Sequence, residues 1–457
     1  MLSVALAGIL TCTQASAAQT TIPVRGDVKA IALAGDAVIV AREPTNRGLA
    51  LERLVPGAPA QLLLRLPRSN DELDVALAAS PRALAFSAQP EGDEGFSSSR
   101  VVVGPPAGPL REVASCTAGL LLPPVAVSDA RIAWREGGCG EPANAPRGVG
   151  PVALVFGGPD PATPLRRVTF AADLLPGSIA LDGENGFIGL LRPSFFSLSS
   201  EVRRFTAGAP AEAVAAEDGR VVAPLGTLSN GDGVFWLGAL EQDTQSSSAT
   251  CGSTLFALAP GSAARRAIAL PGCPAGDNFM STTSRLSGDR IHSLLAQPRS
   301  KKSEAPTPIA LTSLRSDGSD TRVLARGTFR PPRGIAVSPD GRVAWWQRRC
   351  AGGTEIVVDD GAPGASSSIP SCSLRLRSHS ARVRGSQITL RLRCPAGCSG
   401  QVFGETPLPR FLRSFSFGHG THSLRLRLTR SERRVSRLRL SFEVLDGPSR
   451  SARVRLR

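Results

Sequence analysis

One local pattern recurs seven times along this chain: an apolar alternating strand, a turn of Ser, Gly, Asp or Asn, and a second apolar strand. The copies are IALAGDAVIVA from Ile31, VALAASPRALAFS from Val75, VAVSDARIAW from Val125 and IALDGENGFIGLL from Ile179. They continue as LGTLSNGDGVFWLG from Leu225, SRLSGDRIHSLLA from Ser284 and IAVSPDGRVAWW from Ile335, with starts 44 to 59 residues apart. Each interval has room for two further strands. A four-stranded unit of this kind cannot bury both of its faces alone, whereas units packed around a common axis can. The repeat therefore predicts an all-β fold in which residues 25–372 form a seven-bladed β-propeller. Abundant glycine (47) and proline (37) suit the many tight turns this requires.

The stretch LRSDGSDTRVLARGTFRPPRGIAVSPDGRVAWW, Leu314 to Trp346, resembles the WD40-like repeat of TolB-type periplasmic propellers, with a D-G-S turn and then S-P-D-G between two strands. Ser338, Pro339, Asp340 and Gly341 form that repeat turn. The resemblance implies a propeller that binds something on one face or through its central channel. Trp134, Trp236, Trp345 and Trp346 fall in the second strands of their repeats, with Phe86 and Phe235 nearby. An aromatic platform for sugar rings is one reading; packing between blades is the favoured one. Longer insertions at EGDEGFSSSR (Glu91), EPANAPRGVG (Glu141), EQDTQSSSAT (Glu241) and QPRSKKSEAPTP (Gln297) all follow second strands. They are expected on one rim, where a rigid scaffold carries its binding loops.

Beyond Cys372 the pattern changes to strict alternation of leucine and arginine. Residues 370–457 hold 19 arginines, no lysine and four acidic residues, so the whole net charge of +15 resides there. Strands are read at SLRLR (Ser373), QITLRLRC (Gln387), SFSFG (Ser414), SLRLRLT (Ser423), SRLRLSFEVL (Ser436) and ARVRLR (Ala452). With a period of two, leucines share one face and arginines the other, which predicts a small immunoglobulin-like β-sandwich over 373–457. The stretch LRCPAGCSG is similar to C-terminal β-sandwich modules of exported actinobacterial proteins. Like charges side by side are destabilising and a basic surface attracts polyanions. Arg425, Arg427, Arg437 and Arg439 are therefore the candidate anion-binding residues, with a wall polymer or lipid surface as partner. Nucleic acid is disfavoured, because Phe403, Phe411, Phe415, Phe417 and Phe442 are mostly expected to face inward.

The N-terminus supports an exported location, whether periplasmic, cell-surface or secreted. An apolar run from Leu2 to Leu10 precedes Ala15-Ser16-Ala17, which reads as a signal peptide over 1–17. Lipidation at Cys12 is the alternative. In an oxidising compartment the remaining eight cysteines read as a disulfide framework. Spacing pairs Cys251 with Cys273 and Cys350 with Cys372, each stapling the open end of a hairpin. Cys116 with Cys139 is a third candidate pair, and Cys394 with Cys398 would close the tight CPAGC loop.

Neither a metal nor a cofactor is expected. The cysteines lack histidines at zinc spacing, and His419 with His422 lacks a third ligand. Asn230-Gly231-Asp232 and Asp317-Gly318-Ser319-Asp320 lack the full spacing of a calcium loop. The chain contains no G-x-S-x-G and no H-E-x-x-H. The expected function is that of a non-catalytic exported protein whose propeller loops bind a protein or glycan and whose basic module docks to the envelope. A propeller hydrolase or lyase acting on an extracellular glycan or peptide is the alternative, and a structural protein using the propeller as a spacer is the third reading.

Overall fold

The computed structural model describes residues 19–457 apart from 45–47, 68–71, 92–98, 117–124, 138–151, 161, 172–173, 184, 194–197, 207–211, 219, 228–233, 241–253, 261, 263, 275–283, 297–306, 362–366 and 406–409. The fold is all-β. Each of the seven repeats supplies the first two strands of one antiparallel sheet, and the sheets follow one another in chain order. Their first strands are Asp27–Ala34, Glu72–Ala79, Val125–Val127, Leu175–Asp182, Arg220–Thr227, Ser284–Ser287 and Arg333–Val337. Each neighbours the next, and Arg333–Val337 neighbours Asp27–Ala34, so the described strands close a ring. This is a β-propeller.

The sequence reading began the propeller at residue 25 and left residues 18–24 unassigned. The structure corrects this: Thr20–Val24 forms a strand antiparallel to Thr354–Asp359, in register Ile22 with Ile356, and completes the seventh sheet. Without it this sheet would have three strands where each of the first five sheets has four. The two ends of the propeller are thus joined by a backbone ladder.

Apolar residues fill every gap between successive sheets. Phe86, Leu84 and Ile39 pack between the first and second sheets, and Trp134 with Val101 between the second and third. Phe156 and Phe205, with ring centroids 5.0 Å apart, fill the next gap. Trp236 and Phe256, 5.7 Å apart, fill the one after that. Trp345 and Trp346 point to opposite faces of their strand and so serve the two gaps on either side of the seventh sheet.

The C-terminal residues form two further sheets around one core. One has the order Arg375–Leu376, Gln387–Cys394, Gly420–Arg427; the other is Ser380–Ala381, Arg450–Leu456, Arg437–Val444, Cys398–Gly404, Arg410–Phe417. Leu390, Leu392 and Leu424 from the first meet Leu438, Leu440 and Phe442 from the second. The predicted alternation holds: Gln387–Cys394 alternates exposed and buried residues without exception. Three expectations need correction. Of SLRLR only Arg375–Leu376 pairs as strand. Cys398–Gly404 is a strand that the sequence reading passed over. A helix, Arg430–Arg434, also interrupts the strands, held by a capping box in which the Thr429 hydroxyl accepts from the Glu432 amide and the Glu432 carboxylate accepts from the Thr429 amide.

Candidate functional site

The tryptophans do not form a binding platform. Trp134, Trp236 and Trp345 are each 1% exposed or less, and Trp346 is buried. Two of them share an arrangement that the sequence did not reveal. The Trp134 indole donates to Glu136 at 3.0 Å, and Glu136 pairs with Arg167 at 2.8 Å. Likewise Trp236 donates to Glu217 at 3.2 Å, and Glu217 pairs with Arg265. In both cases a buried carboxylate satisfies the indole and is itself neutralised by a partly exposed arginine. Arg135, beside the first of these, is almost fully buried; burial drives its pKa down to about 10 against the opposing pull of Asp74 in the neighbouring sheet.

The short turns after the first strands lock neighbouring sheets together. Ser338, Pro339, Asp340 and Gly341 form such a turn: the Ser338 hydroxyl donates to Asp340, and Gly341 adopts a positive φ of 89°. Its Ser338 carbonyl accepts from Ser287 of the sixth sheet, and Arg342 donates to the Gly35 carbonyl of the first. Ser128 donates to the Gly183 carbonyl at 3.0 Å in the same manner. Desolvation raises and the Ser338 and Arg342 contacts lower the Asp340 pKa, with a net lowering, so this carboxylate is an ionised turn anchor. Asp317 and Asp320 are also turn residues, Asp320 bonded to Arg290 at 2.8 Å and to Arg322 at 2.6 Å. Among the described residues no group of three or more metal-capable side chains converges.

Opposite these turns, the sheets end at the connections between second and third strands. The insertions at 92–98, 138–151, 241–253 and 297–306 lie outside the described residues, as do residues 1–17, Asp232, Cys139, Cys251 and the side chain of Cys116. Cys273 is half-buried at the start of the short strand Cys273–Pro274. The C-terminal module contacts the propeller at this same end, through the connection after Val343–Arg348. Ser416 donates to the Ala351 carbonyl at 2.9 Å, and Arg348 approaches Asp446 at 4.0 Å. Arg330, buried beneath the junction, donates to the carbonyls of Arg348 at 2.6 Å and Pro370 at 3.2 Å.

Cys350 and Cys372 are disulfide-bonded here, with Cα atoms 5.2 Å apart. The bond does not staple the hairpin that the spacing suggested. After Asp359 the chain leaves the seventh sheet, pairs at Ser367–Ser368 with the sixth, and returns to place Cys372 in the core of the module. The disulfide therefore ties the propeller connection to the module. Cys394 and Cys398, Cα atoms 5.4 Å apart, are bonded across the corner where the chain passes from one sheet of the module to the other.

Arg425, Arg427, Arg437 and Arg439 are all exposed, the first two on the three-stranded sheet and the others on the five-stranded one. Arg437 stands directly opposite Arg455 and Arg439 opposite Arg453. Two other arginines have structural duties. Arg413 donates to the Arg425 carbonyl at 3.0 Å and Arg410 to that of Arg427 at 3.4 Å, covering the unpaired edge of the three-stranded sheet. Arg410 also pairs with buried Glu432 at 2.7 Å. Burial raises the Glu432 pKa, but the Thr429 amide and Arg410 outweigh it and hold the group below the usual carboxylate range. Phe415 and Phe442 face inward as expected. Phe411 does not: it is 51% exposed and meets half-buried Phe403 edge-on at 5.9 Å. Phe417 stacks on His422 at 4.8 Å, which gives that histidine a packing role.

No known protein family matches the sequence, and no curated protein is similar to it. Solved structures are similar in fold. One, described as a prolyl endopeptidase with interdomain dynamics, is 13% identical with a TM-score of 0.51, over 80% of this chain and 53% of that one. The β-propeller domain of the Trilobed protease from Pyrococcus furiosus is 9% identical (TM-score 0.49, 74% of this chain, 96% of that one). The structure of putative TolB from Agrobacterium tumefaciens is 11% identical (TM-score 0.33, 70% and 94%). The chain thus spans about half the length of the first of these. The likeness to the first of these, at 13% identity, is one of fold alone. Among the described residues no helix is long and apolar enough to cross a membrane.

Proposed function

We propose that the chain is an exported, non-catalytic binding protein. Its parts are a seven-bladed propeller over about 20–372, which binds a protein or glycan partner at the end carrying the long connections, and an immunoglobulin-like module, which docks to an anionic surface of the envelope. One observation carries this reading. The net charge is confined to a module in which the neighbouring strands Arg437–Val444 and Arg450–Leu456 oppose arginine to arginine, while the propeller residues carry no net charge. Opposed like charges cost stability, and an anionic partner offsets that cost. The two disulfides support export, since such bonds persist in oxidising compartments.

The test is co-sedimentation of the full-length protein with envelopes of its own organism across a salt series. The expected result is binding at low salt, release as salt rises, and loss of binding in the variant Arg425→Gln, Arg427→Gln, Arg437→Gln, Arg439→Gln. Equal binding by that variant would remove the docking role. Turnover of peptide or glycan substrates by the same preparation would replace the reading with a hydrolytic one.

A further inference from the structure

We infer that the docking surface is the pole of the module remote from the propeller, and that its partner is a bilayer of anionic phospholipid; this rests on the docking role proposed above. The strand registers define two poles. At the near pole lie the Cys394–Cys398 corner, Cys372, whose amide donates to the Asp446 carbonyl at 3.0 Å, and the Cys350–Cys372 bond to the propeller. At the far pole Gln387 pairs with Arg427 and Arg437 with Arg455. The Val383 amide donates there to the Arg457 carbonyl at 2.9 Å, and Arg433 donates to the Gly385 carbonyl at 3.3 Å. The helix Arg430–Arg434 and the chain segments on either side of it therefore share this end of the module.

The arginines are not spread evenly between the poles. Arg382, Arg384, Arg427, Arg433, Arg437 and Arg455 are all exposed at the far pole, and none has an acidic partner among the described residues. Glu432, also at this pole, is buried and already engaged by Arg410. The near pole instead carries Asp446, whose pKa is raised by burial against the pull of Arg348, Arg333 and Arg330. A surface of unpaired guanidinium groups fits phosphate geometry. Charge alone would suit any polyanion, but Phe411 distinguishes a bilayer. Its exposed ring lies on the strand that begins at Arg410, one residue from the pole, where it can enter the headgroup region while the arginines hold phosphates. Docked in this way, the module holds the propeller away from the bilayer by about the length of its eight-residue strands, roughly 25 Å. It joins the propeller at the end bearing the long connections.

The test uses the full chain and vesicles of phosphatidylcholine with or without phosphatidylglycerol. The protein is expected to sediment only with the anionic vesicles. Arg427→Gln, Arg437→Gln, Arg455→Gln is expected to weaken binding about a hundredfold. Arg375→Gln, Arg391→Gln, Arg393→Gln removes the same charge nearer the propeller and is expected to weaken it less than about tenfold. Circular dichroism checks that both variants fold, as the substituted side chains make no hydrogen bond to another side chain among the described residues. Phe411→Ser is expected to release protein from anionic vesicles at a lower salt concentration. Equal loss in the two triple variants overturns the polar location. Binding to long-chain polyphosphate without binding to vesicles overturns the bilayer but leaves anionic docking standing. Binding to neither overturns both.

Discussion

The propeller and the C-terminal module are built from the same strand alternation but differ in how many faces each sheet buries. A propeller sheet is covered on both sides by its neighbours, so Trp134, Trp236 and Trp345 lie in its gaps and buried carboxylates are held in pairs such as Glu217 with Arg265. A sheet of the module is covered on one side only. Every second residue of Gln387–Cys394 or Arg437–Val444 is free to be polar. Topology thus explains why the module can carry charge. It does not explain the sign: alternating acids and bases would satisfy the same pattern and add cross-strand attraction, whereas 19 arginines face four acids. The excess is what points to an anionic partner.

The largest test of this contrast removes an aromatic from a gap. Trp236→Ala is expected to cost about 3–5 kcal/mol by chemical denaturation, since it removes a fully buried ring and leaves Glu217 without its indole partner. A cost below about 1 kcal/mol would mean that the gaps are not close-packed. Next is Cys350→Ser with Cys372→Ser. The bond closes a separation of 22 residues, for which chain entropy predicts about 3 kcal/mol. Because it joins the two regions, its loss is expected to split one unfolding transition into two when calorimetry follows the double variant. A single transition in that variant would show that the junction at Ala351, Arg330 and Asp446 couples them unaided.

His292 gives the propeller a pH response of its own. It is 3% exposed, and neither ring nitrogen has a hydrogen-bond partner among the described residues. Burial, reinforced by Arg290, pushes its pKa down to about 4. The unfolded chain binds this proton near pH 6.5 and the native state does not, so the contribution is complete above pH 6.5 and is lost as pH falls toward 4. The loss amounts to about 3 kcal/mol across that window. Comparing urea unfolding at pH 7 and pH 4.5 for wild type and His292→Gln isolates it. A pH dependence identical in the two proteins would overturn the assignment.

The seven-fold repeat was legible because each hairpin carries its own alternation and its own turn, both local in sequence. The closing strand was not. Thr20–Val24 acquires its identity from Thr354–Asp359 across the whole propeller, and nothing in TTIPV signals that partner. The cysteine pairing Cys350–Cys372 could be read from spacing, but its role could not, because the excursion to Ser367–Ser368 is a tertiary event. The helix Arg430–Arg434 had a readable mark, Thr429 and Glu432 at capping-box spacing, hidden within an arginine run. The outward turn of Phe411 follows a register shift between Val402 and Phe403, which alternation alone does not show.

The smallest effect separates fold from function most cleanly. Arg437 and Arg455 oppose each other at the end of their strands, so Arg437→Glu converts a repulsive cross-strand pair into an attractive one. The expected gain is about 0.5 kcal/mol, falling as salt screens the pair. Arg455→Glu should stabilise by a similar amount, and the double exchange, opposing two carboxylates, should return the protein to near its starting stability. The same single exchange removes two units of positive charge from the far pole and is expected to weaken vesicle binding while the melting temperature rises. A variant that is more stable yet binds less would show that the opposed arginines are retained at a cost to the fold. A variant that loses stability instead would mean that Arg437 has a structural role in the module, and the excess arginine could no longer be assigned to docking.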